Sequence, residues 1–184
     1  MTGEMVPCGD PVVELVMNWP ADFVARAGKL LLRLSDVSSL HRDEMAELVD
    51  AGLLSRELKV TEAGQCLADL VIHEHWITDD EVPSFLQRGA ERLSGDVLDV
   101  GCSTGWILRN LRQPLPRSRV GVDIDDRALA LAKRFAEVEQ QEITFLNASV
   151  HKLPFPSNSF DWVICRNAIS YTHQKTAIRE MTRV

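Results

Sequence analysis

Two aspartates and a cluster of small residues carry the chemistry this sequence offers. The run Asp96-Val-Leu-Asp-Val-Gly-Cys-Ser-Thr-Gly-Trp106 climbs through apolar and β-branched residues to a carboxylate at Asp99. It breaks into small residues from Gly101 to Gly105 and resumes as the helix-like Trp106-Ile-Leu-Arg-Asn-Leu111. The order is strand, tight turn, helix start. Such turns bind nucleotides because glycine lets the backbone approach a ligand and the first N–H groups of a helix have no partner within it. Asp123 follows about 20 residues after the turn, the separation that a strand–helix–strand unit sets for an acid on a ribose. A dinucleotide pattern G-x-G-x-x-G counted from Gly101 would need glycine at 103 and 106, where Ser103 and Trp106 stand.

The pattern instead resembles the first motif of class I S-adenosylmethionine-dependent methyltransferases, V-L-D-x-G-C-G-x-G, with Ser103 in place of the middle glycine. Further matches follow in order. Val120-Gly-Val-Asp-Ile-Asp125 is similar to the family's second strand, Leu153-Pro-Phe-Pro-Ser-Asn-Ser-Phe-Asp161 to its L-P-F-x-x-x-S-F-D segment, and Trp162-Val-Ile-Cys165 to the strand after it. The resemblance spans residues 96 to 165.

This resemblance implies an α/β fold: a Rossmann-like doubly wound sheet, incomplete, with strand order 3-2-1-4. The implied cofactor is S-adenosyl-L-methionine. Asp99 would meet its amino group, Gly101, Cys102, Ser103 and Gly105 would lie beside it, and Asp123 would take both ribose hydroxyls. Ile124 would stack on the adenine. Ser149 and Val150 stand where many relatives have Asp-Ala, so the adenine amino group would meet a hydroxyl or the Val150 amide instead of a carboxylate. Arg166 completes the cofactor-binding set. Tyr171 and His173 lie in the stretch that faces the transferable methyl group and are the candidates for a base or for positioning the acceptor. Bland roles stand beside these: a turn-capping acid for Asp99 and Asp123, ordinary core for Ile124, a solvated loop for Tyr171 and His173. The stretch Arg166-Asn-Ala-Ile lacks the N-P-P-Y or D-P-P-Y signature of enzymes acting on exocyclic amines. A small-molecule acceptor at carbon, oxygen or nitrogen remains, and the alternative is a non-catalytic cofactor-binding or interaction protein derived from such an enzyme.

Two regions position these residues: an N-terminal helical, winged-helix-like module over 1–76, and a partial cofactor-binding domain over 77–184. Phe23, Val24, Ala27, Leu30, Leu31 and Leu34 recur at helical spacing, and Ser35 to Ser39 reads as a joint. Met45, Leu48 and Val49 carry a second helix that Gly52 can end in a left-handed cap. Leu53 to Val60 reads as a short extended strand, and Thr61 can cap a helix bearing Ala63, Cys66, Leu67, Leu70 and Val71. Val82, Phe85, Leu86 and Leu93 have helical spacing. Pro114 to Arg119 reads as a loop, Asp126 as the cap of a helix bearing Leu129, Ala132 and Ala136, Ile143 to Leu146 as the third strand, and Thr172 to Val184 as helical. Relatives of the resembled family usually continue into a fifth strand and a hairpin, which makes this stretch resemble their N-terminal part, a truncated product or a fragment.

Composition narrows the partners. The 184 residues carry a net charge of −7, and residues 21–76 hold six Lys/Arg against ten Asp/Glu. Phosphate neutralisation needs a basic face, so the acidity argues against nucleic acid and leaves packing, homodimer formation or a lid role for the first module. No apolar run approaches the ~20 residues of a membrane span, and a cytoplasmic setting is the default expectation. Cys8, Cys66, Cys102 and Cys165 form no C-x-x-C pair. His73 and His75 point about 200° apart on a helix and cannot chelate one ion, so no metal is expected. Asn147-Ala-Ser149 matches a glycosylation sequon that a cytoplasmic protein would not use.

Overall fold

The computed structural model describes residues 18–32, 40–75, 93–111 and 116–184. The chain separates into two units, Met1–Ile72 and His73–Val184. The readings made above for Ser35 to Ser39, for Leu34, for Val82 to Leu86 and for Pro114 lie outside the described residues, as do the side chains of His73 and His75.

In the first unit, α1 (Ala21–Leu32) buries Phe23, Val24, Ala27, Leu30 and Leu31, the apolar stripe its spacing demanded. Helix α2 (Arg42–Asp50) starts on a capping box in which the His41 N–H donates to the Glu44 carboxylate at 2.8 Å. Past its end Gly52 takes φ +73°, and its N–H donates to Val49 O at 2.9 Å. The extended strand expected from Leu53 to Val60 does not form. The segment folds back on itself, with one antiparallel bridge between Leu54 and Val60, Leu58 at φ +58°, and the Ser55 hydroxyl accepting from the Glu57 and Lys59 amides. Ser55 offers the backbone a local partner that outcompetes an extended ladder. Helix α3 (Glu62–His75) is capped as expected, the Thr61 hydroxyl accepting from Gly64 N at 3.1 Å.

The second unit holds a four-stranded sheet of β1 (Asp96–Val100), β2 (Ser118–Asp123), β3 (Thr144–Asn147) and β4 (Trp162–Ile164). Every pairing is parallel, and the order β3-β2-β1-β4 is the 3-2-1-4 expected. Its strands face apolar packing on both sides, as a parallel sheet with crossover helices must. Val97 lies with Ile107, Leu108, Leu129, Ala132 and Phe145, on the side of α4 (Trp106–Arg109) and α5 (Asp126–Val138). Leu98 and Val100 lie with Val122, Leu153 and Val184, where Met181 of α6 (Gln174–Arg183) packs.

Several boundaries differ from expectation, β3, β4 and α6 by one or two residues at an end. The helix after the glycine turn is only four residues long, β2 already begins at Ser118, and the cap of α5 is Asp125, whose carboxylate accepts from Arg127 N at 2.9 Å, with Asp126 inside the helix. Arg119, read as part of the loop, is a buried clamp in β2 that donates to Leu108 O, Gln141 Oε1 and Glu142 O.

Candidate functional site

The carboxyl ends of β1, β2 and β4 meet where ligands bind in open parallel sheets. β1 delivers Asp99, and its last residue Val100 leads into the turn. The turn is tied to β2, because the N–H groups of Gly101 and Cys102 both donate to Val122 O, at 2.8 and 3.0 Å. Gly101 has φ +72°, and a Cβ there would collide with Ala168, so glycine is needed both for the turn and for the approach of the short 3-10 helix Ala168–Tyr171. Gly105 has φ +74°, and an added Cβ would come within 2.5 Å of the Phe145 ring.

Asp123 binds this turn directly. Its Oδ2 accepts from Ser103 N at 2.8 Å and its Oδ1 from Asp125 N at 3.0 Å. The carboxylate thus does cap turns, yet each oxygen keeps an acceptor direction for a further donor. The bond comes from the backbone N–H, so it does not select Ser103 over the glycine of the resembled motif, but it helps hold a non-glycine residue there. At φ +49° a non-glycine residue is strained by roughly 1–2 kcal/mol, and a charge-assisted bond of about 1.5–3 kcal/mol offsets it.

Asp99 is different in kind. It is 1% exposed, and its Oδ2 has no hydrogen-bond partner among the described residues. A turn-capping role is therefore absent. Burial pushes its carboxyl up to about 7, Arg166 opposes that rise, and the negative Asp123 adds to it. Burial likewise raises the Cys102 thiol above its ordinary range, so Cys102 acts as a small apolar residue against Gly121, not as a nucleophile.

The remaining candidates are placed as follows. Ile124 is 72% exposed at the end of β2, which excludes a core role. Ser149 is exposed with its hydroxyl accepting from His151 N at 3.3 Å, and Val150 packs against the core beside Leu153. Arg166 is half-buried just after β4. Tyr171 is 90% exposed, and His173 is exposed at the start of α6 with Nδ1 3.1 Å from the Thr176 hydroxyl. No bond joins Tyr171 or His173 to Asp99 or Asp123.

Asn147 escaped the sequence reading, which saw in it only a sequon. Its amide donates to Ile124 O at 3.1 Å and to Asp126 Oδ1 at 2.8 Å, while Ala148 N donates to Asp123 O at 2.9 Å. It fixes the backbone on which Ile124 stands. Nothing in an isolated Asn announces this, because the contact depends on β3 lying beside β2.

An orphaned buried carboxylate beside a glycine turn, with a second carboxylate holding that turn, suits a ligand that carries a cation and a diol. The methyltransferase domain family matches residues 97–184. A demethylmenaquinone methyltransferase of Thermus thermophilus is 33% identical over 96 residues, 51% of this chain and 44% of its own length. The uncharacterised methyltransferase YcgJ of Bacillus subtilis is 32% identical over 120 residues, 64% of this chain and 47% of its own. This chain thus spans just under half the length of these relatives. Among solved structures, a methyltransferase from Methanococcus maripaludis described as S-adenosylmethionine-dependent shares the fold at 20% identity and a TM-score of 0.51, over 55% of this chain and 49% of its own. The 4+2 cyclase SpnF is 26% identical with a TM-score of 0.51, over 56% of this chain and 40% of its own.

Proposed function

We propose that this chain, whose residues 97–184 match the methyltransferase domain family, belongs to the class I S-adenosylmethionine-dependent methyltransferases, binds S-adenosylmethionine and serves methyl transfer to a small-molecule acceptor. The observation that carries the reading is Asp99. A carboxylate 1% exposed with an orphaned oxygen is costly to ionise unless a cation comes to it, and the cofactor's ammonium is such a cation. Asp123 would hold the ribose diol, Ile124 the adenine face, and Ser149 with the Val150 amide the adenine edge. The bound cofactor supplies an electrophilic methyl group on a sulfonium.

The chain's own contribution is then orientation and exclusion of water. Holding an acceptor in line can contribute roughly 7–11 kcal/mol in favourable cases. Tyr171 and His173, exposed after β4, would meet the acceptor, with His173 able to exchange a proton near neutral pH. The Thermus relative is named for demethylmenaquinone, which is consistent with a small-molecule acceptor. The first unit would pack, dimerise or cover the site, and its acidity speaks against nucleic acid.

A second reading, cofactor binding without methyl transfer, draws support from SpnF, a cyclase with a similar fold. Calorimetry and turnover together separate the two. S-adenosylmethionine should bind and NAD should not, and Asp123→Ala should weaken the former by about 1.5–3 kcal/mol, roughly 10- to 150-fold. Binding of NAD with no response to S-adenosylmethionine or S-adenosylhomocysteine would refute the assignment. Binding with no transfer to any of a panel of quinol, phenol and amine acceptors would favour the second reading.

A further inference from the structure

Helix α6 carries two faces of opposite character. Ala177, Met181 and Val184, spaced by four and three residues, turn inward to the core around Leu98 and Val122. Lys175, Ile178, Arg179 and Thr182 keep the same kind of spacing on the opposite side, and all four are exposed. Every charge on that outer face is positive. Glu180, the acid of this helix, is turned away from it, because its carboxylate accepts from Leu153 N at 3.0 Å and pairs with Arg183. Tyr171, which ends the 3-10 helix leading into α6, is 90% exposed, and Ile178 is 51% exposed.

These cations are uncommitted, unlike those of the other acid-free stretch. Residues 100–122 also lack Asp and Glu, but there Arg109 pairs with Glu139, Arg117 with Asp96, and Arg119 donates to the carbonyls of Leu108 and Glu142. Residues 162–179 lack acids as well, and among the described residues neither the Lys175 nor the Arg179 side chain has an ion pair or hydrogen bond. In a chain of net charge −7 this stretch is unlike its surroundings. Lys175 moreover stands in the first turn of α6, where the helix dipole favours an acid over a cation and where no acid is found. A local rule broken on an exposed face, beside a half-exposed isoleucine, points to a use outside the fold.

A partner for this face must present negative charge over a surface with an apolar layer beneath it. A helix face is convex and offers no groove to a peptide, and a nucleic-acid backbone meets the cations but leaves Ile178 in water. The surface of an anionic bilayer meets both needs. Its headgroup phosphates suit Lys175 and Arg179, whose aliphatic stems can lie along the surface, and the headgroup boundary suits an aromatic ring and an aliphatic side chain. The acidity of the rest of the chain does not forbid this, because charges beyond about 8–10 Å are largely screened at physiological salt. We propose that the outer face of α6, with Tyr171 before it, docks this chain on a membrane surface that contains anionic lipid. The attachment is peripheral, since no helix among the described residues is long and apolar enough to cross a membrane. It does not depend on the cofactor reading, because Lys175, Ile178 and Arg179 are not among the candidate ligand contacts.

Co-sedimentation of the full chain with lipid vesicles tests the proposal. Vesicles of phosphatidylcholine mixed with phosphatidylglycerol should bind the chain about 25-fold more strongly than phosphatidylcholine alone, about 5-fold for each of two cations near the surface. Added salt should erase that preference. The double variant Lys175→Gln with Arg179→Gln should lose it too, whereas Ile178→Ser should weaken binding to both kinds of vesicle and keep it. Thermal unfolding should show these variants folded, because the substituted side chains face solvent and leave Ala177, Met181 and Val184 in place. Should the double variant unfold, the salt dependence of wild type decides the matter. Equal binding of wild type to both kinds of vesicle would overturn the proposal, as would a preference unchanged in the folded double variant. Tighter binding of a single-stranded oligonucleotide or of polyglutamate, lost in the double variant, would also overturn it and assign the face to nucleic acid or to an acidic protein. Self-association lost in Ile178→Ser, with no binding to vesicles, would make the face an interface between copies of the chain instead.

Discussion

The pH behaviour of the site should be dominated by one residue. Asp99 has its carboxyl raised from 3.8 to about 7 by burial. Between those values the folded chain holds a proton that the unfolded chain has lost, so the stability Asp99 contributes is complete below 3.8 and is lost as pH rises through about 7. Asp99→Asn should therefore match wild type near about pH 3 and exceed it above about pH 8 by up to about 4 kcal/mol, as urea titrations at the two pH values would reveal. Cofactor affinity should run the other way. It needs the ionised Asp99 and so should rise through about pH 7, then decline as the ligand's own amino group deprotonates near about pH 8. A calorimetric pH series should give this bell for wild type and lose the acidic limb in Asp99→Asn. A wild-type profile flat from about pH 6 to 8 would show that Asp99 does not meet the cation. Asp123 belongs to the same scale with another balance. Because it accepts two backbone N–H bonds, Asp123→Ala should cost about 1–3 kcal/mol of stability in addition to its effect on ligand binding.

Among the elements, the contact of the glycine turn with β3 is tightly constrained. Gly105 at φ +74° faces the Phe145 ring, and Gly121 of β2 leaves room for the same ring and for the Cys102 thiol. Gly105→Ala adds a backbone penalty to a collision and should destabilise by about 2–4 kcal/mol, measured by thermal or urea unfolding. A neutral effect would mean that the turn relaxes without moving Phe145. The sequence announced the turn through a local pattern and the spacing of Asp99 and Asp123 around it through a fixed separation along the chain, while the strand order followed from the resemblance to a known family. It did not announce what depends on neighbours brought in from afar. Arg119 looked like a loop residue until the carbonyl of Leu108 and the Gln141–Glu142 loop came within its reach. The anchoring of Leu153 and Phe155 by Glu180 and Arg183 of α6 is equally invisible along the chain. Leu53 to Val60 failed in the opposite way, its apolar and β-branched ends suggesting a strand while the Ser55 hydroxyl and the left-handed Leu58 turned it back.

At the scale of the whole molecule, all the candidate ligand contacts fall within His73–Val184, between Asp99 and His173. Ligand binding to the native state adds stability by mass action, about 2.7 kcal/mol at a hundredfold excess over the dissociation constant. That gain should be visible where the contacts are made. Hydrogen exchange with saturating S-adenosylhomocysteine should slow most at the amides of 101–105, 123–125 and 148–151, whose donors line the turn and the ends of β2 and β3. The strands behind them should follow in proportion, because opening of the sheet exposes the cores on its two faces, around Val97 on one and around Leu98 and Val122 on the other. Residues 42–72 should change little if their unit only packs or dimerises. Protection that rises there by as much as at 101–105 would make the first unit a direct participant in ligand capture, and the lid role would replace packing as its function.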